Sequence, residues 1–290
     1  MRDARDLHRL AHLWFMGAIA AAAFPLAGFL ALIMLGLDAP DSGVLSFLHW
    51  CTTALATADV HWIWPSVLIV GPAVAVAWSV GRRLLATLGF ERRLMRSTIA
   101  WPASHVQLLE KLDIRGRVLL LPSDTVDVRT VGLYHPLVVC TTGLLNALSD
   151  VELEAVLRHE IYHLRSRDPL KILLTRAIRE GFFWLPAVAR SVEEFERAKE
   201  LAADAFATLG SSPEALLGAL IKMLQTPRMG SPRWASARFS DLAEARIALL
   251  AGMEPERPTS MGRRFGVAPS LAVSVLVWAS FVGSCGISHQ

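Results

Sequence analysis

Three uncharged apolar stretches, at residues 10–37, 60–81 and 265–290, limit what this chain can fold into more than any other feature. Each holds a run near the ~20 apolar residues that an α-helix needs to cross a bilayer. The runs are Leu13 to Leu37, about Trp62 to Val80, and about Val267 to Cys285. They carry much of a hydrophobic share of 53%, high for a wholly soluble chain of 290 residues. A secretory signal is the poorer reading of the first, because its run exceeds the usual core of about 7–15 residues. The Asp38-Ala39-Pro40-Asp41 behind it is also a poor cleavage site. Proline at positions 25, 65 and 72 is tolerated inside membrane helices more readily than in soluble ones. Three spanning helices are expected.

A net charge of +3 conceals an asymmetry that sets orientation. Arg2, Arg5 and Arg9 precede the first span; Arg82, Arg83, Arg92, Arg93 and Arg96 follow the second; Arg263 and Arg264 precede the third. The 38–60 loop carries Asp38, Asp41 and Asp59 and no Lys or Arg. The positive-inside rule then places the N-terminus and residues 82–264 in the cytoplasm, and the 38–60 loop and the C-terminus outside a cell (inner or plasma) membrane. The juxtamembrane position of the basic clusters points to anionic lipid rather than to nucleic acid. Cys140 reads as a small core residue, whereas Cys51 and Cys285 fall on the outer side, where a disulfide is permitted. With no Cys-x-x-Cys, a structural thiolate zinc site is excluded. The expected organisation is a two-span hairpin at 1–81, a cytoplasmic domain at 82–264 and a third span with a short outer tail at 265–290.

Within 82–264 one stretch, Ser149 to Pro169, reads as a helix with both ends marked. Ser149 followed by Glu152 is a capping box, and Asp168-Pro169 is expected to close the helix, since proline disfavours helical geometry in the residue before it. Val156, Leu157, Ile161 and Leu164 form its apolar stripe. Between the ends lies His159-Glu160-Ile161-Tyr162-His163, an H-E-x-x-H. Residues four apart stand one turn above each other, so both imidazoles leave one face and can supply two ligands of a single tetrahedral zinc. Glu160 then stands beside the metal as a general base for a water that zinc makes acidic near pH ~7.

Around this helix the pattern reads as follows. Gly81 to Met95 is a basic, membrane-hugging helix, and Pro102 opens a short helix ending near Gly116. Val118–Leu121, Val128–Leu133 and Leu137–Thr141 are short β-type runs expected to form a small antiparallel sheet. The strand just before the zinc helix is where an extended substrate would add itself. Leu170 to Ala189 reads as one buried or interfacial helix, Ser191 to Leu209 as a second, Ser212-Pro213-Glu214 as the start of another, and Asp241 to Ala251 as the last.

A zinc hydrolase needs a third protein ligand and an open fourth position. The arrangement with a glycine three and a histidine six residues beyond His163 fails, because Ser166 and Pro169 stand there. A later glutamate remains, with Glu180, Glu193, Glu194, Glu196 and Glu200 as candidates. Glu200 is favoured because Asp204, four residues on, shares its helix face and can fix the tautomer of a ligating histidine. The plainer reading pairs Glu200 with Arg197 or Lys199 on a solvated face.

The H-E-x-x-H with its Arg165-Ser166-Arg167-Asp168-Pro169 tail, the upstream Thr142-Gly143-Leu144-Leu145 and Leu148-Ser149-x-x-Glu152-Leu153-x-Ala155-Val156-Leu157, and Glu200-x-x-x-Asp204 together resemble the BlaR/MecR-type integral-membrane metallopeptidases. HtpX-like membrane proteases share the core motif. The resemblance covers roughly residues 115 to 250 and implies a gluzincin-type, mainly α fold with a small sheet, held by three membrane helices. It implies zinc on His159, His163 and Glu200, Glu160 as catalytic base and Asp204 behind the ligands. Arg246 resembles a family arginine near the site and is a candidate transition-state stabiliser, with His135 and Tyr162 as rivals. Two departures stand out: no penicillin-binding sensor sequence follows the last span, so β-lactam acylation is not expected, and Ala203 takes the place of a frequent cysteine. The implied activity is endoproteolysis of a cytosolic or membrane-proximal protein, in the family's manner a transcriptional repressor. A quality-control protease and a non-catalytic zinc-fold scaffold are the alternatives. The expected partners are that protein substrate and the bilayer, with a second copy of the chain also admitted and no nucleic acid.

Overall fold

The computed structural model describes residues 4–36, 60–225 and 233–253. The third span, the 38–59 part of the loop and the Cys51–Cys285 pairing lie outside the described residues. The helices are α1 (Ala4–Gly36), α2 (Val60–Arg96), α3 (Ala103–Lys111), α4 (Thr142–Ala147), α5 (Asp150–Ser166), α6 (Asp168–Gly181), α7 (Pro186–Thr208), α8 (Pro213–Gln225) and α9 (Arg233–Leu250). The strands are β1 (Val118–Leu121), β2 (Val128–Val131) and β3 (Leu137–Thr141). Among the described residues one helical stretch, Gly71–Arg96, is long and apolar enough to cross a membrane. Gly81 to Met95 is therefore not a separate surface helix: it continues the same helix, because nothing between Val80 and Arg82 breaks it except a glycine, which a helix accommodates at modest cost.

The chain divides into two compact units. The first takes the described residues within 1–13, 82–174 and 194–257, and the second those within 14–81 and 175–193. The core of the second joins Ala18 and Ala22 of α1 to Phe182, Leu185, Val188 and Val192, with Val76 of α2 against them. Gly181 belongs here for a steric reason, since a Cβ on it would lie 2.5 Å from Cγ2 of Val76 and 2.7 Å from the Pro72 carbonyl oxygen. Leu170 to Ala189 is accordingly two helices rather than one. Gly181 ends α6, Pro186 starts α7 with its fixed φ and missing donor at a helix start, and Phe182 to Leu185 form the turn between.

In the first unit the sheet order is β1-β3-β2. β3 pairs antiparallel with β2, Val128 opposite Cys140, but parallel with β1, Val118 beside Val138. The expected all-antiparallel sheet is thus mixed. The passage from β1 to β3 runs through β2, and that supplies the long crossover a parallel pair needs. The substrate-strand expectation shifts with it: β3 is paired on both sides, and among the described residues the edge strands are β1, which Ile99 bridges at Leu120, and β2. The core sets Leu109, Val118, Leu120, Val138, Cys140 and Leu144 against Leu153, Val156, Leu157 and Ile161 of α5, closed by Ala215, Leu216 and Ala219 of α8. Cys140 is fully buried and its thiol is pushed up by burial, with Glu160 and Asp127 adding to the effect. Gly143 explains the Thr-Gly before α5. Its N–H donates to Ser123 O at 2.8 Å, and a Cβ there would sit 2.3 Å from the Asp124 carbonyl oxygen.

The candidate metal centre

Helix α5 begins as its sequence dictates, with the Ser149 side chain accepting from Glu152 N and the Glu152 carboxylate accepting from Ser149 N at 2.8 Å. Its other end differs from expectation. Arg167 adopts the left-handed conformation, φ 52 and ψ 41, and caps the helix. Asp168-Pro169 opens α6 instead of merely stopping α5, because proline is as well suited to a first helical turn as to the residues after a helix. This places Asp168, 2% exposed, with Oδ2 at 2.6 Å from Nδ1 of His163.

The second histidine of the motif thus has a carboxylate on its Nδ1, and so has the first: Nδ1 of His159 lies 2.8 Å from Oδ1 of Asp204 on α7. A carboxylate on Nδ1 makes that nitrogen the N–H of a neutral imidazole and leaves the lone pair on Nε2. The two Nε2 atoms face each other at 3.0 Å, and Glu200 brings Oε2 to 3.5 Å from that of His159 and Oε1 to 3.7 Å from that of His163. Ligand atoms of these three residues all lie within 4.8 Å of one another. A tetrahedral zinc with bonds of about 2.0–2.1 Å has ligand–ligand edges of about 3.3–3.4 Å. Two lone pairs and a carboxylate aimed at one point repel unless a cation sits between them, so the donor set fits a metal ion. Two of the other candidate glutamates have partners of their own: Glu180 accepts from the Ser79 hydroxyl, and Glu193 lies 3.6 Å from Arg179.

Charge around the site is balanced by buried partners. Arg246 grips Asp204 through Nε (2.8 Å) and Nη2 (2.7 Å) and reaches Oε2 of Glu200 with Nη1 at 3.3 Å. Lys199, 8% exposed, donates to Oε1 of Glu200 at 2.7 Å. Burial would raise the Glu200 carboxyl, but Lys199, His163, His159 and Arg246 together hold it well below the usual range. Burial and then Arg246 would lower His159, yet hydrogen bonds to Asp204 and Glu200 prevail and push it up to about 9 without a metal, so an ion binding at Nε2 would have to displace a proton there. Glu160, Asp168, Glu200 and Asp204 set four carboxylates against Lys199 and Arg246, with Lys171 touching Asp168 only at 3.9 Å. A divalent ion bound there would offset what remains.

Glu160 is 7% exposed, and its Oε2 accepts from the Thr130 hydroxyl of β2 at 2.7 Å. Thr130 and Asp168 are the site residues that sequence reasoning missed. Asp168 carried a signal, a carboxylate at the turn just past the second histidine, whereas nothing marks Thr130 in a β-branched run. Of the rival oxyanion candidates, Tyr162 is 2.7 Å from Nδ1 of His8, and His135 is exposed in the β2–β3 connection.

Residues 44–242, more than half of the chain, match the sequence profile of BlaR1 peptidase M56. The chain belongs to the BlaR1 peptidase M56 family. The M56 match takes in His159, Glu160, His163, Glu200 and Asp204 and also Thr130, Asp168 and Lys199, and it ends before Arg246. Among curated proteins the chain is similar to a Protease HtpX homolog of Acidiphilium cryptum (strain JF-5), 29% identical over 139 residues, which is 43% of this chain and 47% of that protein. It is also similar to a Protease HtpX homolog of Desulforapulum autotrophicum, 33% identical over 76 residues, 26% of this chain and 25% of that one. The M56 chain thus spans less than half the length of these curated relatives.

Proposed function

We propose that this protein is a membrane-anchored zinc endopeptidase that cuts a cytosolic or membrane-proximal protein. The observation that carries the reading is the convergence of His159, His163 and Glu200 on one point, with the Glu160 carboxylate buried next in sequence to the first of them. Zinc there would supply Lewis acidity, polarising a peptide carbonyl and making a water acidic near neutral pH. Glu160 takes the proton of the attacking water and passes it to the leaving amine. Thr130 holds Oε2, so the other oxygen is the one free to move that proton. Asp204 and Asp168 keep both imidazoles in the tautomer that presents Nε2. Arg246 has most of its donors on Asp204, so it holds the ligand frame before it meets any substrate oxyanion. An extended substrate would lie along the open edge of β2, which brings its backbone past Thr130 and Glu160.

The membrane setting rests on the family and on the Gly71–Arg96 stretch, where Val74 and Trp78 are 61% and 73% exposed and so offer apolar side chains to lipid. The arginine clusters flanking the apolar runs support a cytosolic site by the positive-inside rule. Cleavage of a repressor in a signalling pathway is the reading favoured by the M56 match. Quality-control proteolysis is favoured by the HtpX homologues. A non-catalytic scaffold is disfavoured by Glu160, a costly buried carboxylate that scaffolding alone would not need. The test is the purified full chain in detergent micelles: one zinc per chain, peptide cleavage abolished by 1,10-phenanthroline and restored by added zinc. Cleavage that survives complete metal removal would overturn the proposal. A candidate repressor and an unfolded membrane protein offered as competing substrates separate the two proteolytic readings.

A further inference from the structure

Lys199 is a buried cation that the mechanism above does not use. Its amine lies 2.7 Å from Oε1 of Glu200, and Asp168, the partner of His163, also acts on it. A lysine at 8% exposure is rare without a charge partner, because an isolated buried ammonium loses its hydration with nothing to replace it. Here the partner is a metal-ligand candidate, and the pairing is made between sequence neighbours. Consecutive helix residues diverge by about 100°, so the long lysine stem must fold back to reach its neighbour's carboxylate.

The two oxygens of Glu200 are consequently not equivalent. Oε1 accepts a short charge-assisted hydrogen bond from Lys199 and stands 3.7 Å from Nε2 of His163, whereas Oε2 has Arg246 only at 3.3 Å and faces Nε2 of His159 at 3.5 Å. A carboxylate with both oxygens free can chelate a metal and fill the position that a hydrolytic site must keep for water. Resting on the zinc-peptidase reading, we propose that Lys199 is a positioning residue that restricts Glu200 to ligation through one oxygen and so keeps the water position open.

This makes a prediction that a merely supportive lysine does not. Removing the amine frees Oε1, so metal binding holds or tightens while turnover falls. The experiment uses the full chain in detergent with Lys199→Met, whose apolar side chain fills similar volume, and Lys199→Arg, which keeps a charged donor. Zinc affinity is measured by chelator competition, the visible spectrum on the cobalt-loaded protein, and kcat and KM on a peptide. The expected result for Lys199→Met is zinc affinity at or above that of the parent and a kcat lower by about 10-fold or more, with KM little changed. Its cobalt spectrum should shift from that of the parent as the second carboxylate oxygen takes the place of the water. Lys199→Arg should stay close to the parent in all of these. Parental kcat and spectrum in Lys199→Met would overturn the proposal, and so would a joint loss of zinc affinity and kcat, which marks a structural prop. If Lys199→Met does not fold, Lys199→Gln is judged by the same readings. His163→Ala separates the levels: full zinc in that variant sinks the metal-centre reading itself, whereas its loss beside an unaffected Lys199→Met sinks only the clamp.

Discussion

The two halves of α5 are both rich in charge and spend it differently. In the first half Glu152 meets Lys222 at 2.6 Å, and Glu154 is shared between Lys111 at 2.9 Å and Arg158 at 2.8 Å, with solvent reaching each group. In the second half His159, Glu160 and His163 are all under 9% exposed, and each has one named polar partner from another element: Asp204, Thr130 and Asp168. Exposed pairs are worth about 0–1 kcal/mol, whereas leaving one member of a buried pair alone costs roughly 3–5 kcal/mol. One helix therefore has an end that is tolerant and an end that is not. The capping box and surface pairs anchor the helix so that its far turns can present groups that would repel one another without a cation.

The sharpest way to break this comparison is at the buried end. Glu200→Ala removes a donor from the shared point and leaves Lys199 without the carboxylate it donates to, so zinc content should fall from near one per chain to a small fraction, with activity. Metal analysis finding full zinc would place the third ligand elsewhere. Asp168→Asn is the next step down. It keeps the shape but frees the Nδ1 of His163, and it should lower zinc affinity or activity by about 10–100-fold without unfolding the chain. An unchanged affinity would show that the 2.6 Å contact does not orient the ring.

The exposed end should answer weakly and in a pH-dependent way. Burial raises the Glu152 carboxyl, but hydrogen bonds from Lys222 and Ser149 outweigh it and hold it below its ordinary value. A depressed carboxylate stabilises the fold above its unfolded pKa, and that contribution is lost as pH falls through the lower, folded pKa. Glu152→Gln keeps a capping-box side chain while removing the charge. It should cost under about 1 kcal/mol at pH 7, and the gap from the parent should close as pH drops below the ordinary carboxylate range. A gap that persists unchanged in acid would mean the Lys222 pair is not its source.

The same contrast explains how much was legible in the residues. Helix α5, its capping box, its apolar stripe and the pairing of Glu200 with Asp204 are local or periodic signals, and a single sequence carries those well. Partners that meet across elements are not written in any period. Thr130 is one β-branched residue among several, and only the β2 edge brings its hydroxyl to Glu160. Asp168 was read as the end of one helix because Pro169 follows it, although the same dipeptide equally opens the next. Alternation in β1, β2 and β3 records which face each side chain takes and says nothing of strand direction, so the parallel β1–β3 pair was invisible. The plainer alternative for Glu200 was a pairing with Arg197 or Lys199 on a solvated face; the Lys199 pairing is present, but burial gives it a different meaning.

The central claim is that Glu160 does chemistry beside a metal that other residues hold. It is tested most directly by Glu160→Gln in the purified full chain, with zinc content and peptide cleavage measured on the same sample. The account predicts zinc at the parental level and a cleavage rate lower by about 10²-fold or more. Parental cleavage in that zinc-loaded variant would contradict it.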